Sequence, residues 1–444
     1  MLPLPRLAIG TVQPRADSRP ITWALLDLFC RQGLHVQHFL SSSRFAACDA
    51  ALPVTGQASR HLDSWLMEKQ ICRELFLHGA DANDLALVEG RFAAPVPTSG
   101  SRLETLADWL DLPRVAVVDV AQLTACGLPR RPERLDAMLL DQCADDYDFY
   151  RWQTVLEPLW GVPVLGGLPR LPQIRRAMAE LSRGTEAPRK LCHDLGDHFF
   201  RYVDLAKLLA LASRRGLPPA AAHLFCRRPG DRPVRVAVAY DDAFRGYFPD
   251  TLDLLEARGA ELVDFSPLRD EELPPDTDIV YVGCGHPERY ASQLADNYCL
   301  ISELRNHVCA GRRMYAEGGG LAYLCGQISW PDGSRAAMSG VLPGIATFHP
   351  HAPPPLPVET SLAADNWLGR QGTRLRGYRN MQWGLRPAEA AGAIDTTPEG
   401  QGNLFSRHHA VASRLHLNFA AQPAALAGFL RRHETSLSLA IERL

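Results

Sequence analysis

Short β-branched runs alternate with helix-period segments along this chain; the alternation breaks once and then restarts. In the first half the runs are Leu7–Gly10, Val36–Leu40, Leu85–Val88, Val115–Val120 and Val162–Gly166, the last closing on a turn at Gly167-Leu168-Pro169. They are apolar throughout rather than alternating, the pattern of strands buried on both faces. A helical pattern from Ile21 to Arg31, ending at Gly33, separates the first two runs. Strands joined through helices imply a parallel, doubly wound α/β sheet.

The break is Arg227-Arg-Pro-Gly-Asp-Arg-Pro233, a cluster that neither helix nor strand carries. Beyond it the rhythm resumes: strand Val234–Tyr240, helix Tyr247–Arg258, strand Ile279–Val282, helix Ser302–Ala310 and strand Arg313–Tyr315. The turn Glu317-Gly-Gly-Gly320 then leads into an apolar helix start. Pro350–Pro357 reads as an exposed loop, and the chain closes with strand Ser413–Phe419 and a helix from Ala424. Two doubly wound α/β domains are expected, residues 1–228 and 234–444, which suits a length of 444 residues.

Composition narrows the function classes. A formal charge of −3 gives no electrostatic reason to expect nucleic acid or an anionic membrane as partner. No stretch approaches the roughly 20 apolar residues of a membrane span, and Met1–Pro20 holds no apolar run of signal-peptide length. Eleven cysteines occur without a Cys-x-x-Cys pair, so neither a zinc site nor a disulfide framework is expected. A cytoplasmic protein with reduced thiols and no bound metal is the expectation. Lysine stands only at Lys69, Lys190 and Lys207, so any basic group before or after them is arginine or histidine.

Several strings, in order along nearly the whole chain, resemble the cobyrinate/hydrogenobyrinate a,c-diamide synthase family. In the first half they are Val54-Thr-Gly-Gln-Ala-Ser-Arg-His-Leu-Asp-Ser-Trp-Leu-Met67, Leu87-Val-Glu-Gly90 and Val162-Pro-Val-Leu-Gly-Gly-Leu-Pro169. In the second they are Ala237–Phe244, Phe265–Asp270, Gly285-His-Pro-Glu288, Tyr315–Leu324, Met338–Pro343, Gly377-Tyr-Arg379 and Leu415-His-Leu-Asn-Phe419. The resemblance implies an N-terminal P-loop domain related to dethiobiotin synthetase, which activates corrin carboxylates with ATP and Mg²⁺. It also implies a flavodoxin-like C-terminal class I glutamine amidotransferase domain. Activity has to be judged at the sites.

A phosphate-binding loop needs glycines whose N–H groups surround the phosphates, a lysine on the β/γ oxygens and a hydroxyl on Mg²⁺. Where the family has Gly-Thr-x-Ser-Gly-x-Gly-Lys-Thr-Thr, this chain reads Gly10-Thr-Val-Gln-Pro-Arg-Ala-Asp-Ser-Arg19. Pro14 lacks an N–H, Ala16 replaces a glycine, and Asp17 stands in the lysine position. Gly10, Thr11 and Ser18 remain. Asp49 is read as a remnant of the family's acidic segment. Glu89 matches its Mg²⁺-binding glutamate, and is read first as a strand-end carboxylate held by neighbouring N–H groups.

In the amidotransferase half the family's Tyr-Ala-Glu-Cys-Gly-Gly-Leu appears as Tyr315-Ala-Glu-Gly-Gly-Gly-Leu321. Glu317 is kept, and Gly318 occupies the nucleophile's position. Glycine suits a strained strand-to-helix turn, but it supplies no nucleophile. His416 matches the family's catalytic histidine and Asn418 replaces a second one. Cys284, where the family has an oxyanion-loop glycine, and Cys325 are read as structural thiols, with displaced nucleophiles as the alternative. His286, His349, His351, His408 and His409 are read as loop histidines rather than ligands.

The expectation is therefore a relative without ATP-dependent amidation or glutaminase activity, needing no cofactor and kept for binding. Its partner would be a tetrapyrrole or other polycarboxylate, met by Arg15, Arg19, Arg44 and Arg91 together with Asp63 in the retained string. The alternatives are an ammonia-dependent a,c-diamide synthase using Mg-ATP through an atypical arginine site, and a structural subunit of an active paralogue. A homodimer fits the same sequence.

Overall fold

The computed structural model describes residues 4–45, 48–92, 100–216, 223–226, 233–387, 392–396 and 402–431. The chain divides into two compact units, Met1–His223 and Leu224–Leu444. Most of the expected boundary, residues 227–232, lies outside the described residues.

The first unit is built on seven strands: β1 (Arg6–Thr11), β2 (Val36–Leu40), β3 (Arg60–His61), β4 (Leu85–Arg91), β5 (Arg114–Asp119), β6 (Ala137–Cys143) and β7 (Val164–Pro169). All pairings are parallel, in the order β3-β2-β4-β1-β5-β6-β7. β1 is central and buried along its full length. Its one charged residue, Arg6, spends its guanidinium on the carbonyls of Leu4, Leu110 and Arg215, which is how a buried arginine avoids an unmet desolvation cost. Helix α1 (Arg19–Arg31) follows, with Pro20 in its first turn. It buries Ile21, Trp23 to Leu26, Leu28 and Phe29 in a core shared with helix α2 (Arg189–Phe200).

Two differences from the expected elements have local causes. Gly167–Pro169 is strand rather than turn, pairing with Leu140, Asp141 and Cys143. β7 is the last strand of its sheet, where proline is tolerated. β6 was not expected at all, because Ala137-Met-Leu-Leu140 lacks the β-branched residues that mark a strand.

The second unit carries β8 (Val234–Ala239), β9 (Ala260–Phe265), β10 (Ile279–Val282), β11 (Arg313–Glu317), β12 (Gly392–Ala393), β13 (Leu404–Arg407) and β14 (Ala410–Ser413) in the order β9-β8-β10-β11-β14-β13-β12. The first five in that order are parallel, and β13 and β12 extend the sheet antiparallel. The expected strand Ser413–Phe419 is cut in two. The Leu415 N–H donates to Ser413 Oγ at 2.9 Å, and that hydroxyl donates to the Leu415 carbonyl at 2.8 Å. This serine turn sends Leu415–His416 away from the main sheet to pair with Tyr378 and Arg379. Among the described residues no helix is long and apolar enough to cross a membrane.

Candidate functional site

In the first unit the sequence-predicted residues gather where β1, β2 and β4 end. The loop between β1 and α1 is fastened by its own side chains. Gln13 Nε2 donates to the Asp119 carbonyl at 2.7 Å, and the Asp119 N–H donates to Gln13 Oε1 at 3.0 Å. Arg19 forms a fork on Asp17, with Nη2 to Oδ2 at 2.7 Å and Nε to Oδ1 at 3.0 Å, and lies over Trp23. Arg91 Nη1 donates to the Pro14 carbonyl at 2.6 Å. Arg15 is exposed, and Arg44 is half-buried. The space above Gly10 is filled: a Cβ there would stand 2.6 Å from Leu103 Cδ2 and 2.9 Å from Phe92 Cδ2. Thr11 is buried at the end of β1.

Glu89 departs from the expectation that backbone N–H groups hold it. Ser18 Oγ donates to its Oε1 at 2.5 Å, and His38 Nε2 lies 3.1 Å from its Oε2. The hydroxyl that would cap α1 is thereby diverted to a carboxylate. The chain of contacts continues: His38 Nδ1 meets Ser59 Oγ at 2.8 Å, and that hydroxyl donates to Asp49 Oδ1 at 2.9 Å. Ser18, Glu89 and Asp49, chosen separately from the sequence, are thus joined through two residues it did not single out. His38, Ser59 and Glu89 are all buried. The available signal was a polar pair, Gln37-His38, inside a buried strand. Asp63 is fully buried and accepts the N–H groups of Ser43, Trp65 and Leu66 at 2.9 Å each, so its carboxylate holds two loops together. Burial pulls the neighbouring His61 down to about 4.

In the second unit β11 ends in a sharp turn into helix α3 (Gly319–Leu324). Gly318 takes φ 52° and ψ −110°, a conformation L side chains rarely adopt. A Cβ at 318 would stand 3.1 Å from Cys284 Sγ, 3.1 Å from Asn380 Nδ2 and 3.3 Å from His416 Nε2. Position 318 is therefore ringed by a thiol, an amide and the His416 imidazole. Asn380 Nδ2 donates to His416 Nε2 at 3.2 Å, while its Oδ1 accepts the Gln382 N–H at 2.8 Å, which fixes the amide's orientation. Sequence reasoning missed Asn380, because nothing in Gly377–Asn380 marks it as a partner of a residue 36 positions on.

Glu317 is fully enclosed beside Tyr281 and Cys284. Burial pushes its carboxyl up to about 8, against the opposing pull of hydrogen bonds from Tyr315, the Leu417 backbone, Tyr281 and Cys284. Burial and the adjacent Glu317 push the Cys284 thiol well above its usual range. A protonated thiol facing a largely protonated carboxyl at neutral pH is a poor nucleophile. Burial also pushes Cys325 up to about 12, and its Sγ donates to the Leu321 carbonyl at 3.3 Å as a structural thiol. Asn418 is buried and accepts the Ala420 N–H at 3.1 Å. His286 pairs with Glu288 at 2.9 Å, and His408 lies in a left-handed turn between β13 and β14. Among the described residues no group of three or more His, Cys, Asp or Glu side chains converges as a metal site.

Residues 235–423 match the profile of the CobB/CobQ-like glutamine amidotransferase domain. The chain is 30% identical over 455 residues to the cobyrinate a,c-diamide synthase of Syntrophotalea carbinolica, covering 96% of this chain and 98% of that protein. It is 28% identical over 456 residues to the protein of the same name from Dehalococcoides mccartyi, with coverage of 96% and 98%. The Listeria monocytogenes protein of that name is 27% identical over 439 residues, with coverage of 93% and 96%.

Proposed function

The chain belongs to the cobyrinate a,c-diamide synthase family, and from that premise we propose that it is a member without amidation or glutaminase activity, kept to bind a tetrapyrrole-like polycarboxylate. The observation that carries this reading is Gly318 at the strained turn, with the retained His416 Nε2 engaged by Asn380. Thioester chemistry on glutamine needs a sulfur at that turn and a free basic nitrogen beside it.

The first unit supports the same reading, because its residues do not fit Mg-ATP. Pro14 offers no N–H, and Asp17 brings a negative charge that Arg19 already neutralises. Arg91 lies on the loop carbonyl of Pro14, where phosphate oxygens would need donors instead. Ser18 and Glu89 are bonded to each other. Exposed Arg15 and half-buried Arg44 are the guanidinium groups proposed to meet the ligand's carboxylates.

The test is an absorbance titration of the full chain with sirohydrochlorin, beside assays of ammonia release from glutamine and of ATP turnover. Micromolar, salt-sensitive binding is expected, and Arg15→Ala with Arg44→Ala should weaken it at least about tenfold. Glutamine-dependent or ATP-dependent turnover above background would defeat the reading. Binding untouched in the double variant would move the ligand elsewhere.

A further inference from the structure

We infer that the outer face of the helix Asp146–Trp160 in the first unit is a pairing surface for a second copy of this chain, the two helices running antiparallel about a two-fold axis. Such a pairing does not depend on what either unit binds. The helix turns Phe149, Leu156 and Trp160 inward, so its opposite side should be polar. Instead, of ten exposed large hydrophobic side chains among the described residues, four stand on this helix: Tyr147 at 76%, Tyr150 at 59%, Val155 at 44% and Leu159 at 52%. At about 100° per residue, Tyr147, Arg151, Thr154 and Pro158 form the stripe opposite the buried residues, flanked by Tyr150 and Val155. The one charged side chain of that stripe, Arg151, is tied to Asp148 at 2.7 Å and lies over Trp152 at 4.8 Å.

The stripe complements itself in one orientation. Its first half is aromatic and its second half is largely aliphatic. Turned antiparallel about an axis between Trp152 and Gln153, Tyr147 meets the partner's Pro158, Tyr150 the partner's Val155 and Arg151 the partner's Thr154. The acidic start of the helix, Asp145 and Asp146, favours the same orientation. A parallel pair would set these acids side by side, whereas the antiparallel pair holds the two copies of Asp146 about 20 Å apart, beyond a Debye length of about 8 Å. The exposed side chains and the strip between them offer roughly 400–500 Å² per copy. The total, roughly 800–1,000 Å², falls below the about 1,200–2,000 Å² of stable complexes, so the pair forms and parts with concentration.

The experiment is sedimentation equilibrium of the full-length chain at about 1 to 200 μM. Wild type, Tyr150→Glu, Val155→Lys and the Tyr150→Glu/Val155→Lys double variant are compared, with Tyr298→Glu, which alters an exposed tyrosine of the second unit, as control. The wild type should dimerise with a Kd of tens of micromolar, and each of the two single variants on the helix should weaken association at least about tenfold. The control should match the wild type. The double variant sets opposite charges against each other across the axis and should recover most of the lost association. A wild type that stays monomeric throughout would overturn the inference and leave the face to a different protein. A dimer that neither single variant weakens would overturn it too, because the contact would lie elsewhere. Loss in both single variants without recovery in the double variant would overturn the antiparallel pairing. If Tyr150→Glu does not fold, Tyr147→Ser, a milder change on the same stripe, carries the test. Failure of sirohydrochlorin to bind would defeat only the proposed function and leave this measurement standing.

Discussion

Placing a sulfur at the turn by Gly318→Cys should not create a glutaminase, because Cys284, Asn380 and His416 crowd the position. The new Cβ would sit 3.1 Å from Cys284 Sγ, against a normal carbon–sulfur contact of about 3.7 Å. Overpacking of that kind costs about 1–3 kcal/mol, and a side chain in the conformation of Gly318 adds about 1–3 kcal/mol of backbone strain. The single variant is thus expected to lose about 2–6 kcal/mol of stability and to release no ammonia from glutamine. Cys284→Gly removes the sulfur's share of the clash, leaving the backbone strain and the close approach to Asn380 and His416. The double exchange should therefore be about 1–3 kcal/mol more stable than additivity allows. Urea denaturation of the wild type, both single variants and the double variant closes the cycle. Additivity within about 0.5 kcal/mol would refute the reasoning, since it would mean that residues 284 and 318 do not compete for one space.

Burial of Glu317 makes the second unit pH-sensitive in a definite direction. Its carboxyl titrates near 8 when folded, above its ordinary unfolded value, so the folded state holds the extra proton. Stability should fall as pH rises from about 4.5 to about 8 and level off beyond, by up to roughly 3–5 kcal/mol, and Glu317→Gln should flatten the profile. A wild-type profile as flat as that of the variant would contradict this. Mg-ATP should bind no more tightly than about 1 mM; a thermal shift of several degrees at lower concentrations would say otherwise. Asp63→Ala should cost about 3 kcal/mol or more, because it leaves buried N–H groups of Ser43, Trp65 and Leu66 without their acceptor. Retention of the wild-type midpoint would show that those loops do not depend on it.

The central strands of both sheets were legible because buried parallel strands write themselves as unbroken apolar runs, and Val36–Leu40 and Ile279–Val282 match residue for residue, whereas β3, β9, β12, β13 and β14 were not read from the sequence. β6 was not legible, since Ala, Met and Leu suit a helix equally well. The turn at Ser413 was hidden for another reason: a single hydroxyl bonding its own neighbourhood redirects the chain, and nothing in hydropathy records it. At the sites, Pro14, Asp17 and Gly318 could be named one by one from the sequence. Their surroundings could not, because Asn380 against His416 and His38 against Glu89 are contacts between residues far apart in sequence.

The self-fastened loop after β1 changes how this protein answers to its surroundings. Where a loop is held by a bound nucleotide, the folded population rises and falls with the supply of that nucleotide. Here the fork of Arg19 on Asp17, the Gln13 clamp on Asp119 and the Arg91 bond to Pro14 belong to the chain itself. On the proposed reading, in which no nucleotide binds this loop, the abundance of the folded first unit is expected to be indifferent to the energy state of the cell, persisting in starved cells where a nucleotide-braced fold would thin out.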